Sequence, residues 1–343
     1  MVAGYIEEIM KKELFCILLC VSSIFISCGK DSTEFEKPTK PPVEKPEMIP
    51  TTDGIINLNN EFMIVGKYIW NAVAYGNGRF VAVGDYGYIT SSTDGVTWST
   101  PIITKPTPLW VGIAYGNGRF VAVAQASGYI ISSTNGTTWS TIQSVGNYGW
   151  YAVAYGNGKF VTVGAGGRIA SSNDGVNWTT PKQVGTSAFQ AVAYGGGKFV
   201  AVGLMGYITS STDGVTWSTP KMIDSASLYA VTYGNGKFVA AGDNGHMISS
   251  TDGMTWSVPQ VVGNKQWNAV TSRSGKYIAV GDGGLVTTST DGATWTKPEE
   301  KKSEMNREIL FGQISKAFAL CHSSRITYQN ISRACWETGM TYY

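Results

Sequence analysis

Six copies of one short segment constrain everything else in this chain. The first is SSTDGVTW at residues 91–98, and the copies end at Trp98, Trp139, Trp178, Trp217, Trp256 and Trp295, spaced 41 residues once and 39 four times. A fixed period of that size means stacked supersecondary units, none of which can bury a face alone. Each copy closes a longer unit, the first being residues 70–101, WNAVAYGNGRFVAVGDYGYITSSTDGVTWSTP. Four strands are expected within it, at 70–75, 79–83, 88–92 and 96–100. They are joined by Gly76-Asn77-Gly78, by residues 84–87 and by Thr93-Asp94-Gly95. Asn-Gly and Asp-Gly between short β-prone runs signal tight hairpins, because those turns need positive φ. Each period therefore reads as one up-and-down, four-stranded antiparallel sheet.

Composition agrees with this. The chain carries 42 Gly, 12% aromatic and only 15% charged residues, which suits many short strands joined by tight turns. Side-chain size rises through the unit, from Ala72, Val73 and Ala74 in the first strand, through residues 80–83, to the terminal Trp98. Sheets packed radially are crowded at the axis and splayed at the rim, so this gradient calls for an all-β β-propeller. Net charge of +2 offers nothing to a nucleic acid.

The SSTDGVTW segments resemble the Asp-box, or BNR, repeats of sialidase-like and sortilin-like propellers, and the resemblance spans residues 53–298. Ser91, Gly95 and Trp98 fit positions 1, 5 and 8 of that pattern, while the acid stands one place late, at Asp94, with Thr93 before it. The resemblance implies a structural hairpin remote from any active centre. It extends to Asp174, Asp213, Asp252 and Asp291 and to Trp139, Trp178, Trp217, Trp256 and Trp295. The acid is placed to bond the backbone of its own turn, and the Trp to fill the gap between blades.

Complete units begin at Trp70, Trp110, Trp150, Phe189, Leu228 and Trp267, so residues 70–298 hold six clear blades. Two remnants flank them. Residues 52–57 (TDGIIN) read as a turn and fourth strand with no blade before them, and Asp53 precedes Ala72 by 19 residues, against 17 from Asp213 to Ala230. Residues 309–312 (ILFG) stand where a further first strand is due. Seven blades are expected, the last built from 52–60 and 305–343 so that N- and C-terminal strands pair and close the ring. Six blades are the alternative, because Trp336 offers the tail a fourth strand of its own. Cys321 and Cys335 stand in that tail, either as a bridge or as free thiols.

Ahead of the propeller, Met10, Lys11 and Lys12 precede an apolar run, residues 14–26, that ends in Ser27-Cys28. This is the form of an export signal, with Met10 its expected start, and the run is too short to span a membrane. Phe25-Ile26-Ser27-Cys28 resembles the lipobox of bacterial lipoproteins, with Phe25 where Leu is usual. The resemblance implies cleavage after residue 27, a lipid on Cys28, and an address in the cell envelope, at the outer membrane or cell surface. Residues 31–50 alternate charge and proline and form a semi-rigid spacer of roughly 3 Å per residue where extended.

Function is harder to read. Turns between strands one and two and between three and four are nearly uniform among the units, whereas residues 85–86, 125–127, 165–166, 204–205, 243–244 and 282–283 differ, as do the links between blades. In an up-and-down blade these two sets lie on opposite faces, so diversity concentrates on one of them. Trp70, Trp110, Trp150, Phe189 and Trp267 begin the inner strands there. They are candidate contacts for a sugar ring or a peptide, set against the reading that they pack as core between blades. Tyr86 belongs with them. Asp85, Asp243 and Asp282, with His322 at the matching place in the closing blade, form a polar arc too widely spread for a metal.

A sialidase-like hydrolase needs an arginine cluster and paired carboxyl groups. Residues 63–297 contain no Glu and no Cys, and the clear blades contain only Arg79, Arg119, Arg168 and Arg273. Arg79 and Arg119 follow the Gly-Asn-Gly turns, on the uniform face. His246 is the only histidine of these blades and has no evident partner. The reading is a monomeric, non-catalytic binding propeller without cofactor, metal or nucleic acid, recognising a glycan or protein. A glycoside hydrolase and an assembly factor for a membrane complex remain as alternatives.

Overall fold

The structure is a computed structural model that describes residues 68–300. Within them stand six four-stranded antiparallel sheets, each a simple meander in chain order. We number these blades 1 to 6, at residues 70–103, 110–144, 150–183, 189–222, 228–261 and 267–300. The export signal, Cys28, the spacer and the closing blade expected from 52–60 and 305–343 lie outside the described residues.

Blade 1 shows the common plan. Its strands are Trp70–Gly76, Arg79–Gly84, Tyr88–Ser92 and Ile102–Ile103. Asn77 and Gly78 have φ of 50° and 69°, the pair of positive angles that a type I′ hairpin requires. The fourth strand is not where the sequence suggests. Residues 96–100 belong to the box turn and touch the sheet through the Ser92–Trp98 bridge and a bond from Ser99 N to Ser91 O of 2.8 Å. Pro101 follows, and a proline cannot donate to a ladder. Regular pairing resumes only at 102–103, against Tyr88 and Ile89.

Consecutive inner strands pack on one another from Trp70–Gly76 round to Trp267–Arg273, so the six sheets follow one another about a common axis. The core lies in the seams. Trp110, Ile113, Phe120 and Ala122 of blade 2 bury against Ala72, Val81, Val83 and Ile89 of blade 1, and the arrangement recurs down the array.

The box turn is held by its own side chains. Asp94 Oδ1 accepts from Val96 N at 2.8 Å, Thr97 N at 2.7 Å and Ser92 Oγ at 2.8 Å. The serine of the turn is thus Ser92, not Ser91. The same bonds recur at Asp174, Asp213, Asp252 and Asp291. Blade 2 uses Asn135 in the same geometry. From Trp139 onward each box Trp packs into the seam with the preceding blade, while Trp98 packs against Val73 and Ala82 of its own blade.

The N–H of Thr97, then that of Val96, hold the Asp94 carboxyl down at about 2, and Thr255 and Met254 do the same for Asp252. Asp213 and Asp291 are lowered likewise, first by the N–H groups of Thr216 and Thr294. A carboxyl depressed in the folded state stabilises above its unfolded value, 3.8, and that stability is lost as pH falls toward the folded value. Acid unfolding is therefore expected to steepen between about pH 4 and pH 2. Because Asn135 keeps the turn without a charge, the pair Asp213→Asn and Asp252→Asn should fold at neutral pH and flatten that slope in acid titrations followed by circular dichroism. An unchanged slope would refute the assignment.

Candidate site on the variable face

The second-to-third-strand turns and the inter-blade links are bonded into one surface. Gly87 N donates to Pro108 O at 2.7 Å and Thr104 N to Gly87 O at 2.9 Å, with counterparts such as Gly128 N to Tyr148 O and Val262 N to Gly245 O. The opposite face is stitched between blades by its uniform turns. Lys198 Nζ donates to Asp252 O at 3.0 Å, Lys237 Nζ to Asp291 O at 3.2 Å and Asn157 Nδ2 to Thr212 O at 3.3 Å. Arg79 and Arg119 donate to Ser91 Oγ and Ser132 Oγ. Uniformity on that face has a structural cause.

The expected aromatic ring is not at the surface. Trp110, Trp150, Phe189 and Trp267 are fully buried, and only Trp70, on the first blade, is partly exposed. The physical reason is a bulge. Register slips between Trp70 and Ala72, and at the matching place in the other blades. The extra residue sends the first aromatic into the seam and the second residue toward the variable turn. The Trp side chains also satisfy their polar ends inside, Trp150 Nε1 donating to Val145 O at 3.1 Å and Trp267 Nε1 to Val262 O at 2.9 Å.

What the bulge brings to the turns is a set of clamps that sequence reading missed. Asn71 Nδ2 donates to Asp85 Oδ1 at 2.7 Å and to Trp110 O at 2.9 Å. Asn268 Nδ2 donates to Asp282 Oδ1 at 2.7 Å, and Tyr229 Oη to Asp243 Oδ2 at 3.2 Å. Asp85, Asp243 and Asp282, three of the residues of the expected polar arc, are each fastened to their own inner strand, and His322 lies outside the described residues. The common separation of 14 residues was the signal available in sequence. Burial pushes the Asp85 carboxyl up, partly offset by the Asn71 bond.

His246 is not alone. Its Nδ1 lies 2.6 Å from Asp224 Oδ2, with Asp224 buried in the link before blade 5. Arg168 lies over the Tyr148 ring, 4.1 Å from its centre. Among the described residues no three metal-ligating side chains gather.

Two large apolar side chains do stand in solvent on this face: Tyr86 is 71% exposed and Met205 52%. Each is the middle residue of a variable turn, at φ of 53° and 55°. Blades 3, 5 and 6 place Gly166, Asn244 and Gly283 there, the residues that tolerate this backbone.

Six four-stranded meanders set round one axis, blade against blade, define a β-propeller. Comparison with solved structures agrees in fold. The chain is similar to YCF48 bound to D1 peptide, at 17% identity and a TM-score of 0.53 over 65% of this chain and 77% of that one. It is similar to YCF48 from Cyanidioschyzon merolae, at 17% identity and 0.50 over 64% and 81%. It is also similar to the computationally designed Ika8 protein, at 12% identity and 0.52 over 68% and 75%. No protein-family profile matches the chain, and no curated protein does.

Proposed function

We propose that this chain is a non-catalytic binding propeller of the bacterial cell envelope, tethered through a lipid on Cys28, that grips a segment of another protein on its variable face. The observation that carries the reading is the pair Tyr86 and Met205. A side chain larger than Asn in the left-handed region costs roughly 1–2 kcal/mol. These two gain no core packing in return, being mostly in solvent. Strain kept at exposed, bulky residues is a mark of function, and large exposed apolar groups are common anchors at protein interfaces. The half-buried Asp243 and Asp282 add acceptors for a partner's N–H groups. A protein is favoured over a glycan because the Trp faces that would stack on sugars are inside the seams. A propeller of similar fold has been solved with a peptide, so a segment of chain is within the reach of such a disc. The Asp-box resemblance fits this reading, since the box turns sit on the other face.

A photo-cross-linker placed at position 86 in the envelope-anchored chain should capture an envelope protein. Met205→Ala should lower the yield about tenfold, a size typical of an interface anchor, with the melting temperature unchanged. Silence at position 86 together with specific binding on a glycan array would overturn the protein reading. Turnover of a sialoside or another glycoside would overturn the non-catalytic one.

A further inference from the structure

The indole Nε1 atoms of Trp139, Trp178, Trp217 and Trp256 are buried in their seams with no hydrogen-bond partner among the described residues. Native interiors leave few such donors, so each one calls for a cause. At one seam a cavity stands beside the tryptophan. Between blades 4 and 5 a space of about 30 Å³ is lined by Trp256 and Met254 of the blade 5 box and by Ile208, Lys221 and Ile223 of blade 4. It lies on the outer strands, and neither Tyr86 nor Met205 borders it. Two hydroxyls of its wall are used within the blade, Thr209 Oγ1 donating to Ser218 O at 2.7 Å and Ser218 Oγ accepting from Ser210 N at 3.1 Å. The Trp256 N–H and the Lys221 ammonium are donors left to a ligand, and among the described residues no carboxylate lines the space.

We propose that this cavity takes the carboxylate of an Asp or Glu side chain, presented between apolar residues by a segment of a partner protein that lies along the rim of blades 4 and 5. Its volume holds roughly two waters, which admits a carboxyl group and is too small for a free metabolite. Lys221 supplies the charge, and the Trp256 N–H a directed bond that an ionised acceptor shortens and strengthens. Apolar contact is offered on both sides of the charge. Met254 is 52% exposed and Met222, next to Lys221, 61%, and methionine adapts readily to a partner's shape. The fourth strand, Lys221–Met222, is the outermost of its sheet and pairs on one side only, with Tyr207 and Ile208, so an extended segment can add to its outer edge. The other three seams do not repeat the set. Where this one joins Lys221 to Met254, they have Ile102 with Thr137, Gln143 with Val176 and Lys182 with Val215. The site shares no residue with the variable-face site and does not depend on it.

The full chain, labelled with nitrogen-15 at tryptophan, tests this by nuclear magnetic resonance. The probe is acetyl-Val-Glu-Val-amide, set against acetyl-Val-Gln-Val-amide and sodium acetate. The Trp256 indole signal, assigned by its loss in Trp256→Phe, should shift with the Glu peptide at about tenfold lower concentration than with the Gln peptide, as a charged acceptor requires. Lys221→Gln changes an exposed side chain, so it should leave the other indole signals in place while erasing that preference. The Trp178 signal should not respond, because its seam carries Gln143 in place of the lysine. A Trp256 signal that ignores both peptides, or answers them equally, would overturn the proposal, as would a preference for Glu that survives Lys221→Gln. An equal answer to acetate would overturn it too, by making the cavity a site for any small anion. Each result is independent of cross-linking at position 86.

Discussion

Trp150→Ala is expected to lower the stability of the propeller by about 3–5 kcal/mol, the range for removing a large aromatic from a packed core. The side chain has no exposed surface and packs among Val121, Val123 and Ile130 of blade 2 and Val153 and Phe160 of its own blade. Truncation would open a void across the seam and leave Val145 O without the indole N–H. The loss of that bond adds about 1 kcal/mol. For a folded part of this size each kcal/mol moves the melting temperature by roughly 2–4 °C, so a drop of roughly 6–20 °C should be seen by calorimetry. The internal repeats supply the control. Blade 4 has Phe189 at this place, equally buried, so Trp150→Phe should recover most of the loss. A drop below about 3 °C for Trp150→Ala, little more than a surface change gives, would mean that the seam is not a packed core.

The same residue shows where sequence reading succeeds and where it stops. The period, the Gly-Asn-Gly hairpins and the first three strands of each blade were legible to within a residue, because each rests on a local rule. Asn77 and Gly78 must take positive φ whatever surrounds them. The side on which Trp150 lies was not legible. A bulge of one residue between Trp150 and Ala152 reverses the alternation on which the expectation of an aromatic mouth rested, and nothing in the local sequence announces it. The fourth strand was misplaced for a related reason. The box residues have strong turn and β signals, yet the side-chain bonds of Ser92 and Asp94 take their N–H groups out of the ladder. His246 looked solitary because its partner, Asp224, is 22 residues away in a link whose path only the fold determines. The one-sided diversity of the turns was legible and led to Tyr86, but Met205 became a candidate only through its exposure and backbone angle.

Gly156→Ala is expected to be strongly destabilising for a change of one methyl group. Gly156 ends the inner strand of blade 3, and a Cβ built there would lie 2.0 Å from Cγ of Tyr194 in blade 4. Flipping the ring about Cβ–Cγ does not relieve this, because Cγ lies on that axis and Tyr194 Cβ is itself only 2.5 Å from the added carbon. The ring itself is wedged against Phe199, centroids 4.7 Å apart. The blades must therefore separate or the tyrosine must leave, and overpacking of this kind costs about 1–3 kcal/mol or more. The contact is a rule of the array. Gly76 meets Tyr115, Gly116 meets Tyr155 and Gly195 meets Tyr233 in the same way. At one described seam the neighbour is a serine instead, Gly234 facing Ser272 at equally close range, and there the hydroxyl of Tyr277 reaches over to donate to Gly234 O. That natural variation dictates the decisive measurement, a double-mutant cycle. Gly156→Ala and Tyr194→Ser should each destabilise alone, and together they should cost less than their sum by about 1 kcal/mol or more, as residues in direct contact do. Strict additivity in urea unfolding would show that the glycine is required by its own backbone and not by the tyrosine of the next blade.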